Sequence, residues 1–396
     1  MAGLRAAESL RHEGFTGDIT VAGAEPHMPY DRPPLSKKFL SGEWDADRIA
    51  LRRPEVLAEL GVRWMMGTRA TRLDVSGRRI EFDDASSLGF DGLVIATGGI
   101  ARRLPHQPAL GGVHVLRTID DAAALRNEIH EGARIVVVGA GFIGLEVAAT
   151  ASERGARVTV LEGLEAPLVR ALGAVSGRAI ADIHRRRGVD IRCSVQVASL
   201  NGGDRVGSVT LSGGDVIPAD LVVVGIGVAP ATDWLDDSGL TVRDGVVCDE
   251  YLSAGVPGVY AAGDVLRWPN ALFDDVETDM RVEHWTNAAE QGAHAAKNLL
   301  AELEGRPREP YVAVPFFWSD QFDARILFLG RSAPGAVVDI VGGDTATGKW
   351  CAAYSMGGRL TGVLGVSMPK WVMPARALVA SRVPREDALA HFAALG

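Results

Sequence analysis

Three glycines and a later acid are the residues of this sequence whose spacing is best suited to bind a nucleotide. The apolar run at residues 134–138 leads into Gly139, Ala140, Gly141, Phe142, Ile143 and Gly144. An Ala-rich segment and a second β-rich run follow, which is the order of a βαβ dinucleotide-binding unit. Such glycines allow a tight turn, close backbone approach to a pyrophosphate and close packing of helix on strand, and the phosphates favour the helix N-terminus. An ordinary glycine-rich turn is the alternative.

Glu162 ends the second run of this unit. A carboxylate at that place accepts hydrogen bonds from a ribose 2′-hydroxyl and repels a 2′-phosphate. The sequence therefore predicts that the unit binds NADH rather than NADPH.

The N-terminus reads as the later part of a second unit of this kind. Residues 1–12 predict a helix that carries Gly3, residues 18–22 predict a strand, and Glu25 follows where a ribose-binding acid would stand. An amphipathic helix followed by a strand, with no ligand, is the alternative for this stretch.

Residues 30–37 form a proline-stiffened segment that carries Arg32 and Lys37. Because proline fixes φ, the tandem prolines predict an extended, rigid presentation of both cations. Cations held in this way suit a pyrophosphate or an electron-rich ring, and a solvated loop is the alternative.

Three further apolar runs end in small residues, as strands do where backbone approaches a cofactor. They end at Ala96-Thr97-Gly98, at Gly227, and at Gly263-Asp264, and a routine exit from strand to loop is the alternative for the first. An acid at a strand's carboxyl end is well placed for sugar or ribitol hydroxyls.

Trp285 precedes a helix predicted for residues 287–303, with Asn287 and Glu290 spaced as a capping box. The N-terminus of such a helix would stabilise negative charge on a reduced flavin ring.

Composition limits the class of protein. The 396 residues suffice for two or three domains, with 47% hydrophobic and 23% charged residues. A formal charge of −9 argues against a nucleic-acid partner. Cys193, Cys248 and Cys351 are far apart, which excludes a neighbouring-cysteine redox disulfide and a zinc knuckle and favours reduced thiols in the cytoplasm. No apolar run reaches membrane-spanning length.

These elements predict an α/β fold with two Rossmann-like nucleotide-binding domains and a C-terminal α+β domain. The predicted limits are residues 1–104 and 229–308 for the first domain, 105–228 for the second and 309–396 for the third. Beyond Pro307 and Pro310, the alternating runs predict a small antiparallel sheet followed by helices.

Taken together, the motifs resemble those of the NADH-dependent ferredoxin and rubredoxin reductases, which are FAD flavoproteins of bacterial oxygenase systems. The resemblance covers nearly the whole chain and rests on residues 30–37, 96–98, 139–146, 260–264, 283–285 and 317–321. It implies that NADH gives a hydride to FAD, which then releases single electrons to a [2Fe–2S] ferredoxin or a rubredoxin. It leaves the oligomeric state open.

The resemblance also implies roles for individual residues. Glu25, Arg32 and Asp264 would bind the adenosine, pyrophosphate and ribitol of FAD. Lys37 would lie near the flavin and pair with Glu146, which would also meet the nicotinamide amide. Trp285 and Trp318 would flank the flavin, with plain core packing as the alternative for each.

One departure from the family is the start of the chain. A usual member begins with a strand and Gly-x-Gly before the position of Met1. We therefore expect either that the given start is internal to a longer natural protein, which we favour, or that the chain binds FAD poorly.

Three alternatives to a ferredoxin reductase follow from the sequence. The first is a flavoprotein of the same fold with another acceptor, such as monodehydroascorbate or oxygen. The second is an NAD-binding scaffold that has lost FAD. The third, a disulfide reductase, is opposed by the absence of a cysteine pair.

Overall fold

The computed structural model describes residues 1–395. Its helices are α1 (Ala2–His12), α2 (Lys38–Ser41), α3 (Pro54–Glu59), α4 (Ile119–Glu128), α5 (Phe142–Glu153), α6 (Val169–Arg186), α7 (Trp285–Leu303), α8 (Pro369–Val372), α9 (Arg376–Ala380) and α10 (Arg385–Ala393). Single 3₁₀ turns lie at Pro33–Ser36, Asp47–Ile49, Asp233–Leu235, Thr345–Thr347 and Met373–Ala375. None of the described helices is long and apolar enough to span a membrane.

The strands lie between residues 19 and 366 and are numbered in chain order. They are β1 (Ile19–Gly23), β2 (Val62–Met66), β3 (Ala70–Asp74), β4 (Arg79–Phe82), β5 (Ser87–Gly89), β6 (Leu93–Ile95), β7 (Gly99–Ala101), β8 (Val113–Val115), β9 (Arg134–Val138), β10 (Arg157–Leu161), β11 (Asp190–Arg192), β12 (Val197–Gly202), β13 (Val206–Leu211), β14 (Val216–Pro218), β15 (Leu221–Val224), β16 (Val228–Pro230), β17 (Val246–Val247), β18 (Val259–Ala261), β19 (Leu266–Arg267), β20 (Phe316–Gln321), β21 (Ala324–Gly330), β22 (Val337–Asp344), β23 (Lys349–Met356) and β24 (Arg359–Val366).

The chain forms two compact units, each assembled from three segments. Unit 1 contains Met1–Asp31, Ala50–Ile100 and Ala229–Pro315, and unit 2 contains Arg32–Ile49, Ala101–Val228 and the chain from Phe316 onward. The domain limits predicted from the sequence stay a prediction.

Unit 1 is built around helices α1 and α7 and short parallel strand pairs. Strand β1 pairs with β2, and β18 pairs with β6, both in parallel. Helix α1 lies against α7 because Gly292 leaves room for it: a Cβ atom there would lie 2.3 Å from the backbone oxygen of Ala2. The antiparallel strands β3, β4 and β5 form a separate small sheet.

The first half of unit 2 is a five-stranded parallel sheet in the order β11-β10-β9-β15-β8. Strands β9 and β15 are rich in valine and almost entirely buried, as expected for central strands covered on both faces. Helix α4 begins at a true capping box, in which Thr118 and Asp121 bond each other's backbone N–H groups. The sheet brings the ends of β9, β10 and β15 to one edge, where the glycine turn lies.

The C-terminal half of unit 2 is a five-stranded antiparallel sheet in the order β20-β21-β24-β23-β22, followed by helices α8, α9 and α10. This architecture confirms the small antiparallel sheet with C-terminal helices. Along β20 the residues alternate between half-buried and buried, so Phe317, Ser319 and Gln321 face the interior.

Two local predictions were wrong. Asn287 and Glu290 form no capping box, since α7 begins at Trp285 with His284 as its N-cap and no side-chain cap bond, and Asn287 instead donates to the Val282 carbonyl at 3.2 Å. Residues Pro33–Ser36 form a 3₁₀ turn rather than an extended segment. Proline fixes φ near −65°, a value that extended and 3₁₀ backbone share, so it leaves ψ undetermined.

Candidate functional site

The glycine turn of unit 2 has the three properties that the spacing predicts. Gly139 has a φ of +101°, and a Cβ atom on it would lie 2.4 Å from the carbonyl oxygen of Gly225. A Cβ on Gly144 would lie 2.2 Å from the oxygen of Gly139, so α5 packs closely on the turn. A Cβ on Gly141 would meet nothing within 4 Å. The turn therefore leaves open space at Gly141, where backbone can approach a phosphate.

The first turn of α5 continues this surface. Phe142 and Ile143 are half-buried, and Phe142 packs edge-on against Phe317 at 4.6 Å between ring centroids. Among the described residues no side-chain hydrogen bond caps the helix at Gly141, so N–H groups of its first turn remain for a ligand. The residues present fit a dinucleotide pyrophosphate.

Glu162 lies beside the same turn, directly after β10. One carboxylate oxygen accepts the backbone N–H of Ala140 at 2.8 Å, and the other accepts that of Leu164 at 2.9 Å. These bonds hold the carboxylate at the glycine turn and leave further lone pairs on both oxygens, which fits a ribose hydroxyl. Gly227 follows β15 with a φ of +107°, and its carbonyl accepts the N–H of Arg102 at 2.9 Å.

Glu146 stands one turn farther along α5 and is 5% exposed. Its Oε2 atom forms an ion pair with Lys37 Nζ at 2.8 Å and also accepts the hydroxyl of Ser36. Its Oε1 atom accepts the hydroxyl of Ser319 at 2.6 Å. The predicted pairing of Lys37 with Glu146 is thereby confirmed, and the pair gains two serine donors that the prediction lacked.

Arg32 and Trp318 are the other predicted residues of unit 2. Arg32 donates from Nη1 to the carbonyl of Arg117 at 2.5 Å, which fixes its guanidinium close to the start of α4. Trp318 is half-buried on β20, and its ring stacks with that of Phe316 at 6.3 Å.

In unit 1, several predicted residues lie around the start of α1. A Cβ atom on Gly3 would lie 3.7 Å from the Cβ of Ala96, and one on Gly263 would lie 3.3 Å from the Cβ of Ala2. Gly263 has a φ of +81°, and Asp264 follows it at the end of β18. These close approaches bring Gly3, Ala96 and Gly263 together, as expected for backbone that borders a cofactor.

Thr97 and Gly98 are held on a neighbouring segment. The hydroxyl of Thr97 donates to the carbonyl of Ala231 at 2.9 Å, and the carbonyl of Gly98 accepts the N–H of Ala231 at 2.9 Å. The strand exit at β6 is thus fixed by hydrogen bonds on both residues.

Glu25 and Trp285 each have a partner from the segment next to the tandem prolines. The hydroxyl of Tyr30 donates to Glu25 Oε2, and Trp285 donates from Nε1 to Asp31 Oδ1 at 2.6 Å. Trp285 is half-buried at the first position of α7. These contacts within unit 1 fit a nucleotide with hydroxyl groups, as FAD has.

The sequence interpretation missed five residues that contact or support these groups: Ser36, Asp31, Ser319, Gln321 and His184. Ser36, Asp31, Ser319 and Gln321 lie inside the motifs at residues 30–37 and 317–321. A signal existed for two of them, because Ser319 and Gln321 are polar residues at the buried positions of an alternating strand. His184 gave no such signal.

Comparisons with known proteins agree with this geometry. Residues 1–292 match the family described as pyridine nucleotide-disulphide oxidoreductase, and residues 316–393 match the reductase C-terminal domain. Rhodocoxin reductase of Rhodococcus erythropolis is 39% identical over 97% of this chain and 88% of its own length. A ferredoxin–NAD(P)(+) reductase of Sphingomonas sp is 37% identical over 96% and 91%. Among solved structures, the covalent putidaredoxin reductase–putidaredoxin complex matches with a TM-score of 0.91 and 31% identity, covering 100% of this chain and 96% of that chain.

Proposed function

Because this chain belongs to the ferredoxin reductase branch of the pyridine nucleotide-disulphide oxidoreductase family, we propose that it passes electrons from NADH through FAD to a [2Fe–2S] ferredoxin. Membership makes it a flavoprotein oxidoreductase that uses FAD and a nicotinamide dinucleotide. The predicted family, α/β fold class, enzyme class and cofactors are thereby confirmed.

The observation that carries the proposal is the place of Glu146. This buried carboxylate lies on the helix whose first turn borders the open space at Gly141, and it pairs with Lys37 at 2.8 Å. A nicotinamide carboxamide offers N–H donors that match a carboxylate, and the pyrophosphate of a dinucleotide bound at the glycine turn would sit at the N-terminus of this helix. We assign Glu146 to the carboxamide and Glu162 to the ribose of NADH.

The other roles follow the motifs. The NADH pyrophosphate would be held by Gly139, Gly141, Phe142, Ile143 and Gly144, and Gly227 would be a further binding residue. FAD would be held by Gly3, Glu25, Arg32, Ala96, Thr97, Gly98, Gly263 and Asp264, and Lys37, Trp285 and Trp318 are the residues we assign to its ring.

FAD supplies the redox chemistry when bound, since it accepts a hydride and releases electrons singly. The residues of the chain bind and orient the two cofactors and hold charge beside them. Lys37 brings a positive charge that is compensated by Glu146, and no side chain is needed as a general acid or base because hydride transfer depends on proximity.

The acceptor and the compartment are part of the proposal. We favour a [2Fe–2S] ferredoxin over a rubredoxin because one of the similar structures is a reductase in covalent complex with putidaredoxin. The protein acts in the cytoplasm and supplies an oxygenase. The three cysteines fit a reducing compartment, since two are buried and none is in a disulfide.

The direct test is the reduction of cytochrome c by NADH with the purified holoenzyme. We expect a [2Fe–2S] ferredoxin to accelerate the reaction strongly, and a rubredoxin at the same concentration to do so less. Equal rates with and without any ferredoxin, together with fast reduction of oxygen or monodehydroascorbate, would mean that one of these two compounds is the acceptor instead of a ferredoxin.

A further inference from the structure

A line of buried polar side chains runs from α6 through β20 to Glu146. His184 Nε2 is 2.8 Å from Gln321 Oε1, Gln321 Nε2 is 3.0 Å from Ser319 Oγ, and Ser319 Oγ is 2.6 Å from Glu146 Oε1. The exposed fraction of each of these residues is 5% or less. The line is independent of Lys37, which binds the other carboxylate oxygen.

The carboxylate determines the direction of every bond in this line. A carboxylate paired with lysine can only accept, so the proton between Ser319 and Glu146 belongs to Ser319. The Ser319 oxygen must then accept from the Gln321 amide N–H, which directs Oε1 of Gln321 toward His184. The network therefore assigns both the amide orientation of Gln321 and a proton on Nε2 of His184.

The surroundings of His184 agree with a single neutral tautomer. Burial lowers the pKa of His184, and Nδ1 has no hydrogen-bond partner among residues 1–395. The ring packs edge-on against Phe322 at 5.1 Å. A second proton on Nδ1 would be buried without an acceptor, which costs free energy.

The two oxygens of Glu146 differ in what they leave for a ligand. Among residues 1–395, Oε2 accepts from both Ser36 and Lys37, whereas Oε1 accepts only from Ser319. A carboxylate oxygen accepts about two hydrogen bonds, so one accepting position remains, on Oε1. The donor on Ser319 sets the direction in which that position faces.

We propose that His184, Gln321 and Ser319 are positioning residues that fix the orientation of Glu146 so that Oε1 accepts the carboxamide N–H of the nicotinamide. This inference rests on the proposed function, which assigns Glu146 to that group. A buried apolar trio would fill the same space without the need to satisfy each polar atom, so stability alone does not account for the polar line.

The test compares two buried serines of unit 2. Ser319→Ala removes the donor to Glu146, and Ser176→Ala removes a serine that bonds the hydroxyl of Tyr354 at 2.5 Å and has no link to Glu146. Calorimetric titration of the holoenzyme with NAD⁺ is expected to give a Kd raised at least about 5-fold for Ser319→Ala and less than about 2-fold for Ser176→Ala. Equal effects of the two variants would overturn the inference.

A double-mutant cycle separates positioning from general loss of packing. If Ser319 acts through Glu146, Ser319→Ala will have little further effect on the Kd for NAD⁺ in a Glu146→Gln background. Additive effects would mean that Ser319 acts by another route. A wild-type holoenzyme that fails to bind NAD⁺ at all would instead refute the proposed function.

A second measurement is made on the wild-type protein. Nitrogen-15 NMR of histidine-labelled wild-type protein reports which ring nitrogen of His184 carries the proton, and His184→Gln identifies its signal. We expect a proton on Nε2 and none on Nδ1 near neutral pH. A proton on Nδ1 would reverse the polarity of the line and contradict the inference.

Discussion

At the residue scale, Glu162 is the side chain that we propose selects NADH over NADPH. The backbone N–H groups of Ala140 and Leu164 hold its two oxygens beside the glycine turn. The carboxylate is therefore fixed before any ligand arrives, and its negative charge disfavours a phosphate at the ribose 2′-position.

Replacing Glu162 with arginine should reverse this selection. Glu162→Arg removes a charged hydrogen-bond acceptor and supplies a phosphate partner, so we expect kcat/KM for NADH to fall roughly 10- to 100-fold relative to that for NADPH. Steady-state kinetics with both cofactors measure the ratio. Glu165→Arg makes the same change of charge at an exposed position nearby and serves as the control. An unchanged ratio in Glu162→Arg would remove Glu162 from the cofactor site.

Individual residues also show what sequence could and could not provide. The pairing of Lys37 with Glu146 was predictable, because both lie in motifs shared with a known family. The line from Ser319 to His184 was not, because it depends on distances between residues 137 positions apart. The sequence showed that Ser319 and Gln321 are polar residues at alternating positions of a strand, but it did not show which residues they bond.

At the element scale, the glycines of the turn between β9 and α5 have different surroundings. Gly144 is required by packing, since a Cβ there would meet the Gly139 oxygen at 2.2 Å, whereas Gly141 has open space and a φ of −73°. Two alanine substitutions three residues apart should therefore behave differently.

We expect Gly144→Ala to lower the free energy of unfolding by about 1–3 kcal/mol and to weaken NADH binding as well. Gly141→Ala should leave stability within about 1 kcal/mol of the wild type while weakening NADH binding, because its Cβ occupies space meant for the pyrophosphate. Thermal or denaturant unfolding and NAD⁺ titration measure the two properties. Loss of stability in Gly141→Ala with normal binding would contradict the proposed placement of the pyrophosphate.

The packing of α6 on β20 should make unit 2 sensitive to acid through His184. Because burial holds the pKa of His184 below its ordinary value of 6.5, the unfolded chain binds the proton more readily than the folded chain. The contribution of neutral His184 to the free energy of unfolding is therefore complete above the pKa of this histidine in the unfolded chain. It is lost as the pH falls below that value.

We therefore expect the wild type to lose more stability than His184→Gln when the pH is lowered from about 7.5 to about 5.5, since glutamine keeps a donor but does not titrate. Unfolding midpoints at several pH values measure the difference. His391→Gln, at an exposed position of α10, should follow the wild type. Parallel pH dependence in all three proteins would show that His184 is not buried as described.

Elements were easier to predict than their ends. The sequence pattern placed β9 and α7 within two residues of their observed bounds. The predicted start of α7 and the predicted backbone conformation of the tandem prolines were wrong, because helix caps and ψ angles depend on tertiary contacts. Helix α6 is broken at Gly173, whose φ is +75°.

At the scale of the whole molecule, the predicted residues fall into two groups, one in each compact unit. Unit 2 carries the glycine turn with Glu146, Glu162 and Lys37, and unit 1 carries Gly3, Glu25 and Asp264. Each unit is assembled from three separate segments, so both proposed nucleotide sites depend on the correct folding of distant parts of the chain.

Flavin occupancy reports on the group in unit 1. Asp264→Ala should lower the molar ratio of FAD to protein after purification, because it removes an acceptor for the ribitol hydroxyls, whereas NAD⁺ binding at the glycine turn should persist. Asp237→Ala, an exposed acid of the same unit, is the control. Full occupancy in Asp264→Ala would exclude that residue from the flavin site.

The central claim is that this chain is an NADH-dependent flavoprotein, and its visible absorption spectrum before and after anaerobic addition of NADH tests it most directly. We predict flavin bands that are bleached by NADH and restored by an electron acceptor. A protein that stays colourless after FAD is added, or a yellow protein that NADH does not bleach, would contradict the claim.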